Sequence, residues 1–177
     1  MNILLQWREI LYQLDDADAA ALFLFEPLLD QGLRAYQAAA KCRHLFVVEP
    51  AMTPGAPPDG ESFLMMMAGS RPEFKPCRTQ PDDTAEIIFT SAYGGKPLGT
   101  ELTHFNLFQN ALISQAFVQK FSPTDVCLCV LPLFHSFGQT AMLNAPLLGM
   151  SKTILMVRFE THKVFEAIAR EKVTLLG

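Results

Sequence analysis

Long hydrophobic runs, basic clusters and a cysteine framework are all missing from this chain of 177 residues. The longest apolar runs, such as Val126–Phe134, fall well short of the ~18 residues that a membrane-spanning helix needs. Met1–Leu14 lacks a basic start followed by a long apolar core, so no signal peptide is expected. The formal net charge is −4 without any Lys/Arg cluster, which argues against a nucleic-acid partner. We expect a cytoplasmic protein, with peripheral membrane contact as the alternative.

The four cysteines give no convincing metal or disulfide pattern. Cys127 and Cys129 alternate on a predicted strand, so both side chains point to one face. They are either half of a metal site or small buried apolar residues, and the absence of a suitably spaced second pair favours burial. Cys42 with His44 is interpreted in the same way. We therefore expect no metal site, and free thiols fit a reducing cytoplasm.

Half of the residues are hydrophobic and only 18% are charged, which is typical of a globular domain. Short apolar runs predict the following strands: Ala21–Phe25, His44–Val48, Ala85–Thr90, Val126–Leu131, Thr153–Val157 and Val173–Leu176. Helical patterns lie between them: Met1–Asp16, Pro27–Lys41, Thr103–Lys120, Phe137–Leu148 and Thr161–Lys172. This alternation predicts an α/β fold with a mostly parallel sheet flanked by helices.

Two of these strands, Ala85–Thr90 and Val126–Leu131, are among the most continuously apolar runs. We expect them at the centre of the sheet, because strands covered on both faces have that composition. Residues 49–81 are rich in Pro and Gly and are predicted to be irregular. Within them, Glu61–Gly69 is predicted to form a short helix whose methionines fill gaps in a core, with an adaptable binding surface as the alternative.

A Gly-rich segment, Ser91–Gly99, follows the predicted strand Ala85–Thr90 and carries three glycines, one lysine and one proline. Thr103 then stands where the N-cap of the next helix belongs. Glycines after a strand let backbone N–H groups approach phosphate oxygens, and a lysine adds a positive charge. The composition alone favours an ordinary solvated strand-to-helix loop, in which case the segment binds nothing.

This stretch resembles the phosphate-loop signature of the adenylate-forming (AMP-binding) superfamily, most closely the fatty-acid–CoA ligases. Their pattern is T-S-G-T-T-G-K-P-K-G, a short spacer and L-T-H-x-N; the present chain has T-S-A-Y-G-G-K-P-L-G, two residues and L-T-H-F-N. Ala92 replaces a Gly, Tyr93 and Gly94 replace two Thr, and Leu98 replaces a Lys. The resemblance implies nucleotide binding by a set of eight residues: Thr90, Ser91, Ala92, Tyr93, Gly94, Gly95, Lys96 and Gly99.

A second motif, Pro132–Gly138, matches the family pattern L-P-L-F-H-x-F-G together with Leu131. The resemblance implies that four residues line a substrate pocket: Phe134, His135, Phe137 and Gly138. The residues alone leave His135 open, because a histidine at a strand end can also be a half-buried, hydrogen-bonded structural group. Asn2–Asp16 matches a third segment, N-P-L-L-x-x-R-E-I-x-Y-x-L-x-D, which lies inside the large N-terminal domain of the family.

The resemblance implies a part of an ATP-dependent fatty-acid–CoA ligase, which uses ATP, Mg²⁺ and coenzyme A to turn a fatty acid into an acyl-adenylate and then a thioester. Residues 1–177 are then a partial N-terminal adenylating domain, without the small C-terminal domain. The later family motifs at the adenine and ribose and the lysine of the C-terminal domain do not occur, so no catalytic set is complete and we expect no turnover by the chain alone. The alternatives are a non-catalytic nucleotide- or acyl-binding module and a purely structural truncated domain, whose incomplete sheet would expose an apolar face and self-associate.

Overall fold

A computed structural model of the chain describes residues 1–50, 59–90 and 95–177. It divides into two compact units, the first formed by Met1–Arg78 with Phe89–Gly99 and the second by Thr79–Ile88 with Thr100–Gly177. Each unit contains strands and helices, as the predicted α/β alternation requires. None of the helices in the described ranges is long and apolar enough to cross a membrane.

The first unit contains a three-stranded parallel sheet in the order β1-β2-β3. Its strands are β1 (Ala21–Phe25), β2 (His44–Val48) and β3 (Glu61–Ser62). Its helices are α1 (Trp7–Asp16), α2 (Leu29–Ala38), which a 3-10 turn at Glu26–Leu28 precedes, and α3 (Phe63–Gly69). The predicted strand–helix–strand unit is confirmed, and both strands begin and end at the predicted residues. Ala21 pairs with His44 and Phe25 with Val48. The first helix begins at Trp7 rather than Met1, where Glu9 accepts a hydrogen bond from the Gln6 backbone N–H (2.8 Å).

The core of the first unit lies between this sheet and the helices α1 and α2. Alternate residues of β1 and β2 point into it, and Leu45 and Val47 are almost completely buried. The opposite face of the sheet carries Phe23, which keeps 55% of its surface exposed. The helix predicted within Glu61–Gly69 is present, but the prediction that its methionines fill a core is wrong, because Met65 and Met67 are 56% and 55% exposed.

The second unit contains a parallel sheet in the order β7-β6-β8. Its strands are β6 (Val126–Cys129), β7 (Lys152–Leu155) and β8 (Leu175–Leu176). Its α-helices are α4 (His104–Ile113), α5 (Ser136–Gln139), α6 (Ala145–Leu148) and α7 (Thr161–Glu171). One π-helix continues α4 over Ser114–Gln119, and another joins α5 to α6 over Thr140–Asn144. The prediction that Val126–Leu131 supplies a central buried strand is confirmed. Cys127 and Cys129 pack on one face with Met142, while Leu128 packs on the other with Val164 and Ala167.

The thiols of Cys127 and Cys129 are buried in this core. Burial, followed by the neighbouring Cys129, raises the pKa of the Cys127 thiol to about 11. A thiol with a raised pKa stays protonated at neutral pH, and metal binding needs the thiolate. The two side chains therefore act as small apolar groups in the core.

The prediction that Ala85–Thr90 is a central strand of the parallel sheet is wrong. This segment forms β4 (Thr84–Thr90), and none of its residues is buried. Among the described residues, β4 pairs only with β5 (Leu98–Thr103), in a separate two-stranded sheet. Thr84 donates a hydrogen bond to Glu101 and Thr90 one to the Leu98 carbonyl, so the strands run antiparallel. The strand β5, which returns alongside β4, therefore lies between the Gly-rich segment and the helix α4. The predicted N-cap is confirmed, since Thr103 Oγ1 accepts from the Asn106 N–H (3.1 Å).

An ion-pair cluster at the end of α7 predicts how stability depends on pH. Glu171 accepts hydrogen bonds from Lys152 Nζ (2.5 Å) and Arg170 Nε (2.8 Å), and these contacts lower its pKa from 4.5 to about 2. A carboxylate with a lowered pKa stabilises the fold fully above its unfolded pKa and loses that contribution as pH falls toward its folded pKa. The free-energy advantage of the wild type over Glu171→Gln should therefore be constant above a pH of about 4.5 and shrink below it.

Urea unfolding of the two proteins across the acid range measures this difference. Glu73→Gln removes an exposed carboxylate of the irregular segment and is the matched control. An advantage of the wild type over Glu171→Gln that stays constant down to a pH of about 2 would rule out the ion-pair origin of this stability.

Candidate functional site

The Gly-rich segment connects β4 to β5 along the chain, and its described residues begin at Gly95. Thr90 is the last residue of β4 and Gly99 is the second residue of β5, and both are exposed. Ser91, Ala92, Tyr93 and Gly94, four of the residues predicted to bind nucleotide, lie outside the described residues. The structure thus places the two flanks of the predicted phosphate loop, with Gly95 and Lys96 on its second flank.

Gly95 and Lys96 have properties that suit an anion site. Gly95 has a φ of +98°, a conformation that side chains with a Cβ rarely adopt, although the space around it is open. The side chain of Lys96 is exposed. Within residues 1–50, 59–90 and 95–177, the ion pairs are formed by other basic groups: Lys41, His44, Lys152, Lys163 and Arg170. The Lys96 ammonium is therefore not neutralised by a described carboxylate and can attract a phosphate.

The second flank of the segment is attached to α1 through Tyr12. The Tyr12 hydroxyl donates a hydrogen bond to the Pro97 carbonyl (2.8 Å), and its ring contacts the Phe89 ring edge-on with centroids 6.1 Å apart. The sequence interpretation assigned no role to Tyr12. A signal was present, because Tyr12 belongs to the N-terminal segment that matches the family pattern.

The second motif forms the turn between β6 and α5. His135 has extended backbone angles and precedes the first residue of α5, and the Gln139 N–H donates to its carbonyl (3.0 Å). The His135 side chain is exposed, and its ring lies 4.6 Å from the ring of Phe134 between centroids. Phe137 is 66% exposed. The half-buried structural interpretation of His135 is therefore wrong, and the exposed rings are free to contact a ligand.

Gly138 is the buried member of this motif and lets α5 approach the preceding turn. A Cβ built at Gly138 would lie 2.4 Å from the Pro132 carbonyl oxygen, far inside normal contact distance. Because the clashing atom belongs to the backbone, no side-chain rotation can relieve the contact. Gly138 therefore sets the position of the turn that carries Phe134 and His135.

A polar contact that the sequence did not reveal joins α5 to the base of β4. Gln139 Nε2 donates a hydrogen bond to Glu86 Oε1 (3.0 Å). The remaining oxygens, Glu86 Oε2 and Gln139 Oε1, are buried and have no hydrogen-bond partner among the described groups. Within the second unit, this contact fixes the helix that follows the His135 turn against the strand that leads to the Gly-rich segment.

One cleft of about 320 Å³ opens beside the start of α4. Its lining is partly aromatic and consists of Thr79, Gln80, Pro81, His104, Phe105 and Phe108. The backbone N–H groups of His104 and Phe105 already donate to the Asp83 and Pro81 carbonyls (3.2 and 2.9 Å). The helix N-terminus therefore offers neither of these donors to an anion. His104 and Phe105 belong to the L-T-H-F-N part of the first motif, but none of the residues predicted to bind nucleotide or substrate lines this cleft.

No group of three or more His, Cys, Asp or Glu side chains that could hold a metal ion occurs in the described parts of the chain. Mg²⁺ in nucleotide sites is often held by substrate phosphates with only one or two carboxylates.

Comparison with known proteins identifies relatives that are named as CoA ligases of carboxylic acids. A 4-coumarate–CoA ligase of Humulus lupulus is 31% identical over 125 residues, which are 67% of this chain and 23% of that protein. A 2-succinylbenzoate–CoA ligase of Bacillus velezensis is 26% identical over 177 residues, which are 100% of this chain and 32% of that protein. The chain thus spans between 23% and 32% of the length of these curated relatives.

Solved structures support the same relationship. The crystal structure of an anthranilate CoA ligase in complex with anthranoyl-AMP matches with a TM-score of 0.86 over 99% of this chain and 33% of that chain, and its 20% identity shows the fold alone. ATP-bound MatB from Rhodopseudomonas palustris matches with a TM-score of 0.79 and 26% identity, over 99% of this chain and 33% of that chain. The fold is that of the N-terminal domain of adenylate-forming enzymes. Since the sequence model of the AMP-binding enzyme family matches residues 1–177, the whole chain belongs to that family.

Proposed function

We propose that this chain is a partial adenylating domain of an acid–CoA ligase, in which the segment from Thr90 to Gly99 contacts the phosphates of ATP. The observation that carries the proposal is the family match over all 177 residues, which include both the Gly-rich segment and the His135 motif. The ligase reaction joins a carboxylate to AMP with release of pyrophosphate, and coenzyme A then displaces AMP. The chemical demand on the protein is to stabilise charge on phosphate oxygens and to align the carboxylate.

The described residues can meet the first demand in part. Lys96 supplies an exposed cation beside Gly95, whose positive φ turns the backbone at that point. A Lys ammonium acts on phosphate as a point charge, and glycine lets the main chain approach the anion. Mg²⁺, bound with ATP, would neutralise further phosphate charge when present. Lys96, with Thr90 and the remaining loop residues, would orient the β- and γ-phosphates.

The second demand is assigned to the motif at Phe134–Gly138. The half-buried Phe134 ring and the exposed Phe137 ring offer an apolar wall, and the exposed His135 imidazole offers one polar group for a carboxylate. We propose a carboxylic acid with a hydrophobic body as the substrate. A fatty acid is the finer prediction from the motif, whereas the curated relatives are named for 4-coumarate and 2-succinylbenzoate. Cytoplasmic location and peripheral membrane contact stay predictions from sequence.

We expect the chain of 177 residues to produce no pyrophosphate from ATP and an acid on its own. The family motifs for the adenine and the ribose, and the catalytic lysine, do not occur in its sequence. A pyrophosphate-release assay with palmitate and with 4-coumarate, each against an acid-free control, measures this. Acid-dependent formation of AMP and pyrophosphate by a highly purified sample would contradict the expectation and would establish a complete ligase, and the acid that supports it would reveal the substrate class.

Calorimetric titration with ATP and Mg²⁺ separates the binding proposal from its structural alternative. Binding that Lys96→Gln weakens supports a phosphate site at this segment. Lys75→Gln removes one exposed cation of the irregular segment and is the matched control for net charge. Equal affinity of Lys96→Gln and wild type would remove the proposed phosphate contact of Lys96. No ATP binding by a folded wild type would remove the nucleotide role altogether.

Self-association is the remaining property that we propose, and the face of the β1–β2–β3 sheet that Phe63 of α3 covers only in part supports it. Phe23 and Phe25 are 55% and 45% exposed there, and the rings of Phe23 and Phe46 stack with centroids 4.9 Å apart. Parallel sheets are normally covered on both faces. Sedimentation velocity should show a concentration-dependent dimer that Phe23→Ser weakens and Phe74→Ser, a change at an 83% exposed phenylalanine of the irregular segment, leaves intact. A monomer at all concentrations would contradict this proposal.

A further inference from the structure

Tyr12 contacts Phe89, which lies just before the Gly-rich segment, and Pro97, which lies in the second half of that segment. Its ring contacts Phe89, which precedes Thr90, and its hydroxyl bonds to the carbonyl of Pro97, which follows Lys96. All of these residues belong to the first unit. Tyr12, Phe89 and Pro97 are each half-buried, whereas Thr90, Lys96 and Leu98 are exposed. The three half-buried residues therefore form the contact that joins these exposed residues to α1.

Apart from Tyr12, the described residues next to the segment are held by the pairing of β5 with β4, which begins at Leu98, and by one weak side-chain contact. Thr90 Oγ1 reaches the Leu98 carbonyl only at 3.5 Å, which is the limit of hydrogen-bond distance. The 2.8 Å bond from Tyr12 to Pro97 is much shorter, and its donor sits on α1, whose next residues, Gln13 and Leu14, are buried in the core. A tyrosine has only two side-chain torsions and loses little freedom when it is held. The Pro97 carbonyl is consequently fixed relative to the core, one peptide away from Lys96.

We infer that Tyr12 is a positioning residue for Lys96. By holding the Pro97 carbonyl, Tyr12 orders the backbone next to Lys96, so that the Lys96 ammonium is already placed for a phosphate. The inference rests on the proposed phosphate role of the segment, and it adds a residue that lies far from the segment in sequence. Pre-organisation raises affinity because the cost of ordering is met before the ligand arrives. Tyr12 itself touches no ligand and acts through Pro97.

Tyr12→Phe is the direct test, since it removes the hydroxyl and keeps the ring. Tyr36→Phe is the matched control, because Tyr36 lies in the same unit and its hydroxyl also donates to a backbone carbonyl, that of Arg43 (3.1 Å), away from the segment. Losing one hydrogen bond should weaken the binding of Mg²⁺-pyrophosphate about two- to tenfold in Tyr12→Phe and leave Tyr36→Phe unchanged.

A double-mutant cycle shows whether Tyr12 acts through Lys96. If it does, Tyr12→Phe should have no further effect on affinity in a Lys96→Gln background, because the group that it positions is already gone. Additive effects of the two substitutions would overturn the inference, since they would mean that Tyr12 stabilises binding by a separate route.

Hydrogen exchange supplies a readout that does not depend on ligand binding. Amides of residues 95–103 should exchange faster in Tyr12→Phe than in wild type or Tyr36→Phe, while those of β1 and β2 stay unchanged. Unchanged exchange at residues 95–103 would overturn the inference. The two proposals fail differently: no pyrophosphate binding by the folded wild type overturns the phosphate role and the inference with it, whereas binding that is equally tight in wild type and Tyr12→Phe overturns the inference alone.

Discussion

Restoring the family sequence in the Gly-rich segment is expected to raise phosphate affinity by roughly one to two decades. The variant combines Ala92→Gly, Tyr93→Thr, Gly94→Thr and Leu98→Lys. Two short hydroxyls and one cation are regained, and a hydrogen bond to a charged group contributes about 1.5–3 kcal/mol. If half of that energy is recovered, the gain is still about 1.5–3 kcal/mol in total. Leu98 is 63% exposed on β5, so a lysine there stays solvated and carries no burial cost.

Calorimetry with pyrophosphate and Mg²⁺ at low and moderate salt measures this gain. The part due to Leu98→Lys should fall with salt, because exposed charges are screened over about 10 Å at 0.1 M ionic strength. Leu4→Lys is the matched control, since it adds the same charge at a leucine that is 77% exposed outside the segment. Equal affinities of the restored chain and the wild type, both folded, would show that the segment does not face a phosphate site.

Gly138→Ala is expected to destabilise the chain by about 1–3 kcal/mol and to disturb the turn that carries Phe134 and His135. The added Cβ would lie 2.4 Å from the Pro132 carbonyl oxygen, so either α5 or the turn must move. Urea unfolding measures the loss of stability. Chemical shifts or hydrogen exchange of residues 131–139 report the displacement of the turn.

Gly69→Ala is the control for this substitution. Gly69 is also a helical glycine, the last residue of α3, and a Cβ built there has no atom within 4 Å. Alanine has the higher helix propensity, so this change should be neutral or slightly stabilising. If Gly138→Ala were as stable as Gly69→Ala, the close approach at Pro132 would not constrain the turn, and Gly138 would lose its role in shaping the proposed pocket.

The sequence predicted the elements whose patterns are local. The strands β1 and β2 match their predicted bounds, because an apolar run between turn residues needs only its neighbours to be recognised. The Thr103 N-cap was also predictable, since its partner Asn106 lies within the same turn of helix. The π-helical segments at Ser114–Gln119 and Thr140–Asn144 were not predicted, because an apolar helical stripe has nearly the same appearance in both helix types.

The candidate site divides in the same way. The motifs around Lys96 and His135 were found from sequence, because each is one continuous stretch. Tyr12 and Glu86 lie far from the residues that they contact in the chain, and pairing them requires the fold. The exposure of His135 also needed the fold, since burial depends on which elements cover a turn.

The amino-acid sequence by itself determined the family, the α/β class and the central position of Val126–Leu131, whose apolar residues alternate between two cores. It could not decide the place of Ala85–Thr90, which has the composition of a buried strand. Only the tertiary structure assigned it to an antiparallel pair with Leu98–Thr103, because strand partners are chosen by where the chain returns and not by the strand's own residues. For the same reason the attachment of the Gly-rich segment to α1 through Tyr12 is a property of the fold alone.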